Sequence, residues 1–409
     1  MIRRYPVLIN RSFSRLFWAS VINVLGSNVT YIAIYWAYSK TVGVTSLAVL
    51  IALTYFARFV FNLVLGPLSD RFPAKPLMQT LLFARGGLLL GFGLLISLAH
   101  ISLLWLMVMS VILVALGALY ELSSTKLIRD IVDEHDLSRA NALISIVYQF
   151  GSMIGLALGG VTASLLSVGR ILFVESLGYF LGFGLLGSLR TPHDPMTAIA
   201  KTGLMAPWGD GITFVLGKKW LVSVLGLAVF SNIAITPTIT LMAPYALDVL
   251  HGGSQQYADL EIAVTGGGML CALVFSKFRM ASSLLPMYLG LATVGESVFM
   301  ALFGLSRHID ASLIALLGVG AAISLFNIPF ITILQHYTPR EKLGRVRAVL
   351  VAASTGVSSI SYFFSGMLAH RLGVTSTILV FAVLGFVGVV TVLLTRPFHQ
   401  LDFTQVELT

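Results

Sequence analysis

Read as apolar runs broken by charges, Gly and Pro, the chain separates into twelve long segments. Six lie in the first half, at 16–38, 46–66, 76–98, 102–124, 140–166 and 169–190, and six in the second, at 219–246, 259–276, 282–304, 311–334, 346–370 and 373–395. A helix of ~20 apolar residues crosses the ~30 Å hydrocarbon core of a bilayer. In lipid, only structures that satisfy their own backbone hydrogen bonds can span, and runs of this length do so as α-helices. The pattern therefore predicts an all-α integral membrane protein with twelve transmembrane helices. The first run follows Arg3, Arg4, Arg11 and Arg15 and is longer than the 7–15 residue core of a signal peptide, so it reads as a retained span.

Composition supports the pattern. Of 409 residues, 57% are apolar and 11% charged, against about 25% charged in an average soluble domain. A soluble globule is excluded, and disorder is excluded because both of its compositional terms run the other way. The net charge of +9 does not point to nucleic acid, because the basic residues are dispersed among loops and not gathered on one face. The single cysteine, Cys271, lies in an apolar run; it permits no internal disulfide or thiolate cluster and reads as a packing residue.

Positively charged loops stay cytoplasmic. With the N-terminus inside, twenty Lys and Arg fall in the inner tails and loops and four, Lys40, Arg170, Arg307 and Arg371, in the outer ones. A multi-pass protein of the cell inner (cytoplasmic) membrane with both termini cytoplasmic is expected.

The stretch Thr191–Lys218, with Pro192, Pro195 and Pro207, divides the chain near its midpoint, and Leu204–Leu216 within it mixes apolar and polar residues as a helix on the membrane surface does. An internal repeat supports the division. Asp136-Leu-Ser-Arg139 precedes Lys342-Leu-Gly-Arg345 by 206 positions, and the same offset relates Gly160 to Gly366. The expected organisation is an N-terminal six-helix bundle (1–190), a cytoplasmic connector with an amphipathic helix (191–218), a C-terminal six-helix bundle (219–395) and a cytoplasmic tail (396–409). Two pseudo-symmetric bundles of this kind rock about a site at the repeat interface.

Several motifs carry a resemblance. The loop Gly66-Pro-Leu-Ser-Asp70-Arg71-Phe-Pro-Ala-Lys75-Pro-Leu-Met78 resembles the G-x-L-A-D-R-x-G-R-K-x-x-L motif of the major facilitator superfamily, at that family's position between spans two and three. Pro73 and Ala74 depart from it, and the counterpart Phe275-Ser-Lys277-Phe-Arg279 keeps only the positive charge. Span five carries Gly151-Ser-Met-Ile-Gly155-Leu-Ala-Leu-Gly159-Gly160, similar to a glycine motif of the drug-antiporter branch with Leu156 in place of its proline. Small residues at this spacing also serve simply to let helices pack closely. The string Gln335-His-Tyr-Thr-Pro-Arg-Glu-Lys-Leu-Gly-Arg-Val346, together with Phe83-Ala-Arg85-Gly86, resembles the branch that holds macrolide-efflux and enterobactin-type siderophore exporters. The resemblance implies the major facilitator fold and export by alternating access. It also implies a conformational latch built from Gly66, Asp70, Arg71 and Lys75, with Arg345 at the start of span eleven, and a packing motif at Gly151, Gly155, Gly159 and Gly160. It does not transfer a cargo.

Ionisable residues inside spans are costly and point to function by default. Arg58 lies in span two, Arg85 in span three, Glu175 in span six and Glu296 in span nine, with Glu121 and Glu261 near span ends where water reaches them. Structural ion pairs or snorkelling side chains are the plainer reading of each. Glu296 is the candidate for proton coupling, because a carboxyl removed from water can load and release protons near neutrality. Span one offers Asn23, Ser27 and Asn28 where many drug antiporters place an acid. In the family resembled, spans one, four, seven and ten line a cavity, which here would carry Asn23, Asn28, Tyr31 and Tyr35, then Asn232, then Phe326 and Asn327. Aromatic faces with a few amides suit amphipathic organic molecules. Arg58 and Arg85 are added to that set, since an arginine fork favours carboxylates and catecholates.

Other chemistry is set aside. Gly211 to Lys219 has five residues between its glycines and no magnesium-holding hydroxyl, so it is not a phosphate loop. No catalytic or metal motif is found, and neither an enzyme nor a cofactor is expected. The reading is a monomeric secondary transporter that exports small amphipathic organic molecules, drug or siderophore-like, by proton antiport, with a lipid or lysolipid flippase of the same fold as the alternative.

Overall fold

In a computed structural model of the protein, the residues described are 10–69, 72–98, 103–133, 136–189, 212–275, 284–338 and 340–395. They form α1 (Arg11–Val42), α2 (Val44–Ser69), α3 (Ala74–Leu98), α4 (Leu103–Ile131), α5 (Leu137–Leu165), α6 (Val168–Gly187), α7 (Lys219–Thr240), α8 (Met242–Asp248), α9 (Ser254–Phe275), α10 (Leu285–Leu305), α11 (Ile309–Tyr337), α12 (Arg340–Leu372) and α13 (Val374–Leu393). Among the described residues, twelve helices are long and apolar enough to cross a membrane. The short α8 continues span seven beyond a break. Pro237 inside α7 cannot donate to the ladder, and Leu241 separates the two pieces.

Apolar runs underestimate some helices. α4 continues to Ile131, past the expected end at 124, and α12 begins at Arg340, before the expected 346. The extensions carry Lys126, Arg129, Glu341 and Lys342. These residues do not belong in hydrocarbon but are good helix formers, so the helix outlasts its apolar stretch. The expected surface helix Leu204–Leu216 falls mostly outside the described residues; 212–216 are helical.

The chain divides into two compact units, Met1–Ala37 with Ala57–Thr202, and Tyr38–Phe56 with Gly203–Thr409. Within the first, α3 and α6 approach through glycine. A Cβ on Gly93 would stand 2.9 Å from the Gly169 carbonyl, so neither position has room for a side chain. Asn10 begins α1: its Oδ1 accepts from the Ser12 and Phe13 amides at 2.9 and 3.3 Å, while its Nδ2 donates to the Ile131 carbonyl at the end of α4 at 2.9 Å.

The second unit has an apolar core of Val224, Leu227, Leu289, Ala292, Phe326 and Val389, contributed by α7, α10, α11 and α13. At its other side the Tyr245 hydroxyl donates to the Ser306 carbonyl at 2.8 Å, tying α8 to the end of α10. Gly43 and Gly373 take positive φ, 86° and 84°, in the tight joints between α1 and α2 and between α12 and α13.

Candidate functional site

In the first unit, α1 carries three polar residues at i, i+4 and i+7, Asn23, Ser27 and Thr30, which therefore share one face. This face meets Arg85 of α3 and Glu175 and Tyr179 of α6. Arg85 is 6% exposed. Its Nη1 donates to Asn23 Oδ1, its Nη2 donates to Ser27 Oγ at 3.1 Å, and its guanidinium carbon lies 4.6 Å from the centre of the Tyr179 ring. The Ser27 and Tyr179 hydroxyls are 3.2 Å apart, and Thr30 donates to Glu175 Oε2. Among the described residues, Arg85 Nε and Glu175 Oε1 have no hydrogen-bond partner. Asn23 and Arg85, expected on a cargo surface, thus lie inside the unit and engage each other.

Arg58 is different. Its Nη2 sits 3.4 Å from Glu121 Oε2, and the two side chains are 48% and 51% exposed. Glu121, expected near a span end, lies ten residues before the end of α4 because that helix is longer than its apolar run. Charges at such depth face a bundle interior or water and are paired. The sequence offered the signal, one cation in span two and one anion in span four, but spacing along a chain does not show which helices are neighbours.

Asn28 is committed to packing. Its Nδ2 donates to the Val24 carbonyl at 2.8 Å and to Ser152 Oγ of α5 at 3.3 Å. Beside it, Gly151, Gly155 and Gly159 line the α1 seam: an added Cβ would meet Val24, Asn28 and Ile32 at 3.0, 2.8 and 2.9 Å respectively. Gly160 is buried. The rings of Tyr31 and Tyr35 lie 4.3 Å apart, and Tyr35 is buried.

In the second unit, Glu296 of α10 is 1% exposed. The Ser231 hydroxyl of α7 stands beside its carboxyl, and its Oε2 has no partner among the described residues. The neighbouring Thr293 and Ser297 turn their hydroxyls back to their own helix. Asn232, next to Ser231, donates to the Ala228 carbonyl at 2.7 Å and accepts from Ser358 of α12 at 3.1 Å. Phe326 is a core residue whose ring stacks on Phe330 at 5.4 Å, whereas Asn327 is exposed. Thr30, Tyr179, Ser231 and Ser358 carry no signal in the sequence, because hydroxyls that serve buried partners resemble any others in an apolar helix.

Of the expected latch, Asp70 and Arg71 lie outside the described residues, as does the Arg345 side chain. Gly66 falls in α2. Lys75 Nζ donates to the Leu189 carbonyl at 2.6 Å, placing a cation just past the end of α6, where the helix dipole favours one.

Among the described residues, twelve apolar helices with charged and amide side chains within them define a polytopic membrane protein. The chain belongs to the Major Facilitator Superfamily, whose family model matches residues 16–361. It is similar to the MFS-type transporter YvqJ of Bacillus subtilis, 24% identical over 396 residues that cover 94% of this chain and 92% of the relative. It is also similar to the enterobactin exporter EntS of Shigella flexneri, 26% identical over 335 residues, covering 79% and 76% of the two chains. Among solved structures, a POT family transporter in complex with 5-aminolevulinic acid matches with a TM-score of 0.72 at 11% identity, over 94% of this chain and 96% of that one. This last likeness is one of fold.

Proposed function

We propose that the protein is a secondary active exporter of small amphipathic organic molecules, drug or siderophore-like, driven by proton antiport. Bundles 1–190 and 219–395 rock about a central cavity in the inner membrane, with both termini cytoplasmic and the loop from Gly66 to Lys75 latching one state. Similarity to an enterobactin exporter supports the direction and the cargo class. The two intramembrane arginines, Arg58 and Arg85, do not favour an anion as strongly as the sequence implied. Arg58 is paired with Glu121, and Arg85 has Glu175 one turn from the Tyr179 ring on which it rests. Cargo is then held by apolar burial, with hydrogen bonds that orient it.

The observation that carries the coupling is Glu296, a carboxyl in the body of α10 at 1% exposure, with one oxygen unpartnered among the described residues. An ionised carboxylate is expensive in such surroundings. Enclosed, the group holds a proton; opened to water or cargo, it releases the proton, so that proton and cargo occupy the cycle alternately. The test is uphill, pH-driven accumulation of a transported probe in proteoliposomes. Glu296→Gln should abolish accumulation while downhill flux persists, and accumulation at the wild-type rate would overturn the assignment.

A further inference from the structure

Among the described residues of the first unit, Glu175 is the one buried carboxyl, and the proposed cycle leaves it unused. Its surroundings are specific. From α1, Thr30 donates to Oε2, and α1 otherwise offers Ser27 and Asn23, which do not titrate. From α3 comes Arg85. On its own helix Tyr179 follows one turn later, about 6 Å along the axis. From α4, Tyr120 faces Arg85 and Tyr179, and from α5, Tyr148 lies near Tyr120 and Arg85 on one side and near Glu121 and Arg58 on the other. Among the described residues, Arg85 is the cation that acts on Glu175 itself, while Arg58 and Glu121 pair with each other beyond Tyr148.

Arg85 and Glu175 do not close into an ion pair. The guanidinium is turned onto the Tyr179 face and onto two α1 side chains, leaving Nε bare, and the carboxyl keeps a bare Oε1. Arginine is always protonated, and a buried cation without a counter-charge is strongly unfavourable. An ionised Glu175 balances it across the Tyr179 ring. When Glu175 is protonated, the hydrogen bonds to Asn23 and Ser27 and the negative face of the Tyr179 ring offset part of the cost of the guanidinium charge. The arrangement thus tolerates both states of the carboxyl, whereas a closed ion pair would fix one.

We infer that Glu175 is a second proton-binding site, in the N-terminal unit, with Arg85 as its fixed counter-charge. Uptake is the simple association of one proton with the carboxylate at Oε1, and release returns that proton to water. Together with Glu296 this gives the transporter one proton carrier in each unit and a larger proton stoichiometry than one carboxyl allows. The inference extends the antiport reading, but its test reads the carboxyl itself and needs no cargo.

The experiment is infrared difference spectroscopy of the full-length protein in liposomes during pH steps, following the C=O stretch that only a protonated carboxyl shows. The wild-type-minus-Glu175→Gln difference should contain one carboxyl band, distinct from the band that Glu296→Gln removes, and Arg85→Gln should change the pH at which the Glu175 band vanishes. If Glu175→Gln is lost on purification, Thr30→Val serves, because removing the donor should displace that same band. A Glu175→Gln or Thr30→Val spectrum identical to wild type at every pH would overturn the inference. Loss of antiport with the Glu175 band intact would instead count against the proposed transport cycle alone.

Discussion

At the scale of single residues, the two intramembrane arginines separate two kinds of charge. Arg58 shares a half-exposed ion pair with Glu121, and where water reaches such a pair it contributes about 0.2–1 kcal/mol. Arg85 anchors Asn23, Ser27 and the Tyr179 ring in the interior, where removing one partner of a buried charge network costs about 3–5 kcal/mol. Thermal unfolding of the detergent-solubilised protein should show Arg58→Gln close to wild type and Arg85→Gln markedly destabilised. Equal losses would contradict the distinction. The sequence named both arginines and Glu296, since an ionisable residue stands out in an apolar run. It could not say that Arg85 is enclosed and Arg58 half-exposed, because that depends on which neighbouring helix each face meets.

At the scale of elements, the α1–α5 seam rests on the absence of side chains. Gly155 and Gly159 admit Asn28 and Ile32 at distances a Cβ would violate, whereas nothing lies within 4 Å of a Cβ built on Gly87 of α3. Overpacking a close seam costs about 1–3 kcal/mol. Gly155→Leu should therefore lower the unfolding temperature clearly and Gly87→Leu should leave it near wild type; a seam that tolerated Gly155→Leu would show that the close approach is dispensable. The glycine spacing was legible in the sequence, and so was the existence of every span. Helix ends were less legible. Hydropathy marks where hydrocarbon stops and not where the helix stops, which is why α4 and α12 exceed their apolar runs.

At the scale of the whole molecule, the distribution of Lys and Arg predicts an orientation with both termini cytoplasmic. Cys271 is the sole cysteine, so a Cys271→Ser background permits site-specific labelling. In intact cells, Arg307→Cys should react with a membrane-impermeant maleimide and Arg139→Cys should not; the reverse pattern would invert the topology. The all-helical membrane class and the twelve spans followed from hydropathy, because the bilayer admits so few solutions, whereas the major facilitator fold needed the internal repeat and the motif after span two. The hydrogen-bonded interiors of the two units did not follow, because they depend on pairings between distant segments such as Thr30 with Glu175 and Ser358 with Asn232. The central claim is proton-coupled export, and it is tested most directly in liposomes holding a trapped pH dye and the purified protein. A catecholate siderophore, a macrolide and a lipophilic cation are added in turn. Proton movement with one of these classes, absent in Glu296→Gln, is the predicted result. No proton movement with any of them, in vesicles shown to hold a pH gradient and to translocate a lysophospholipid, would contradict the account.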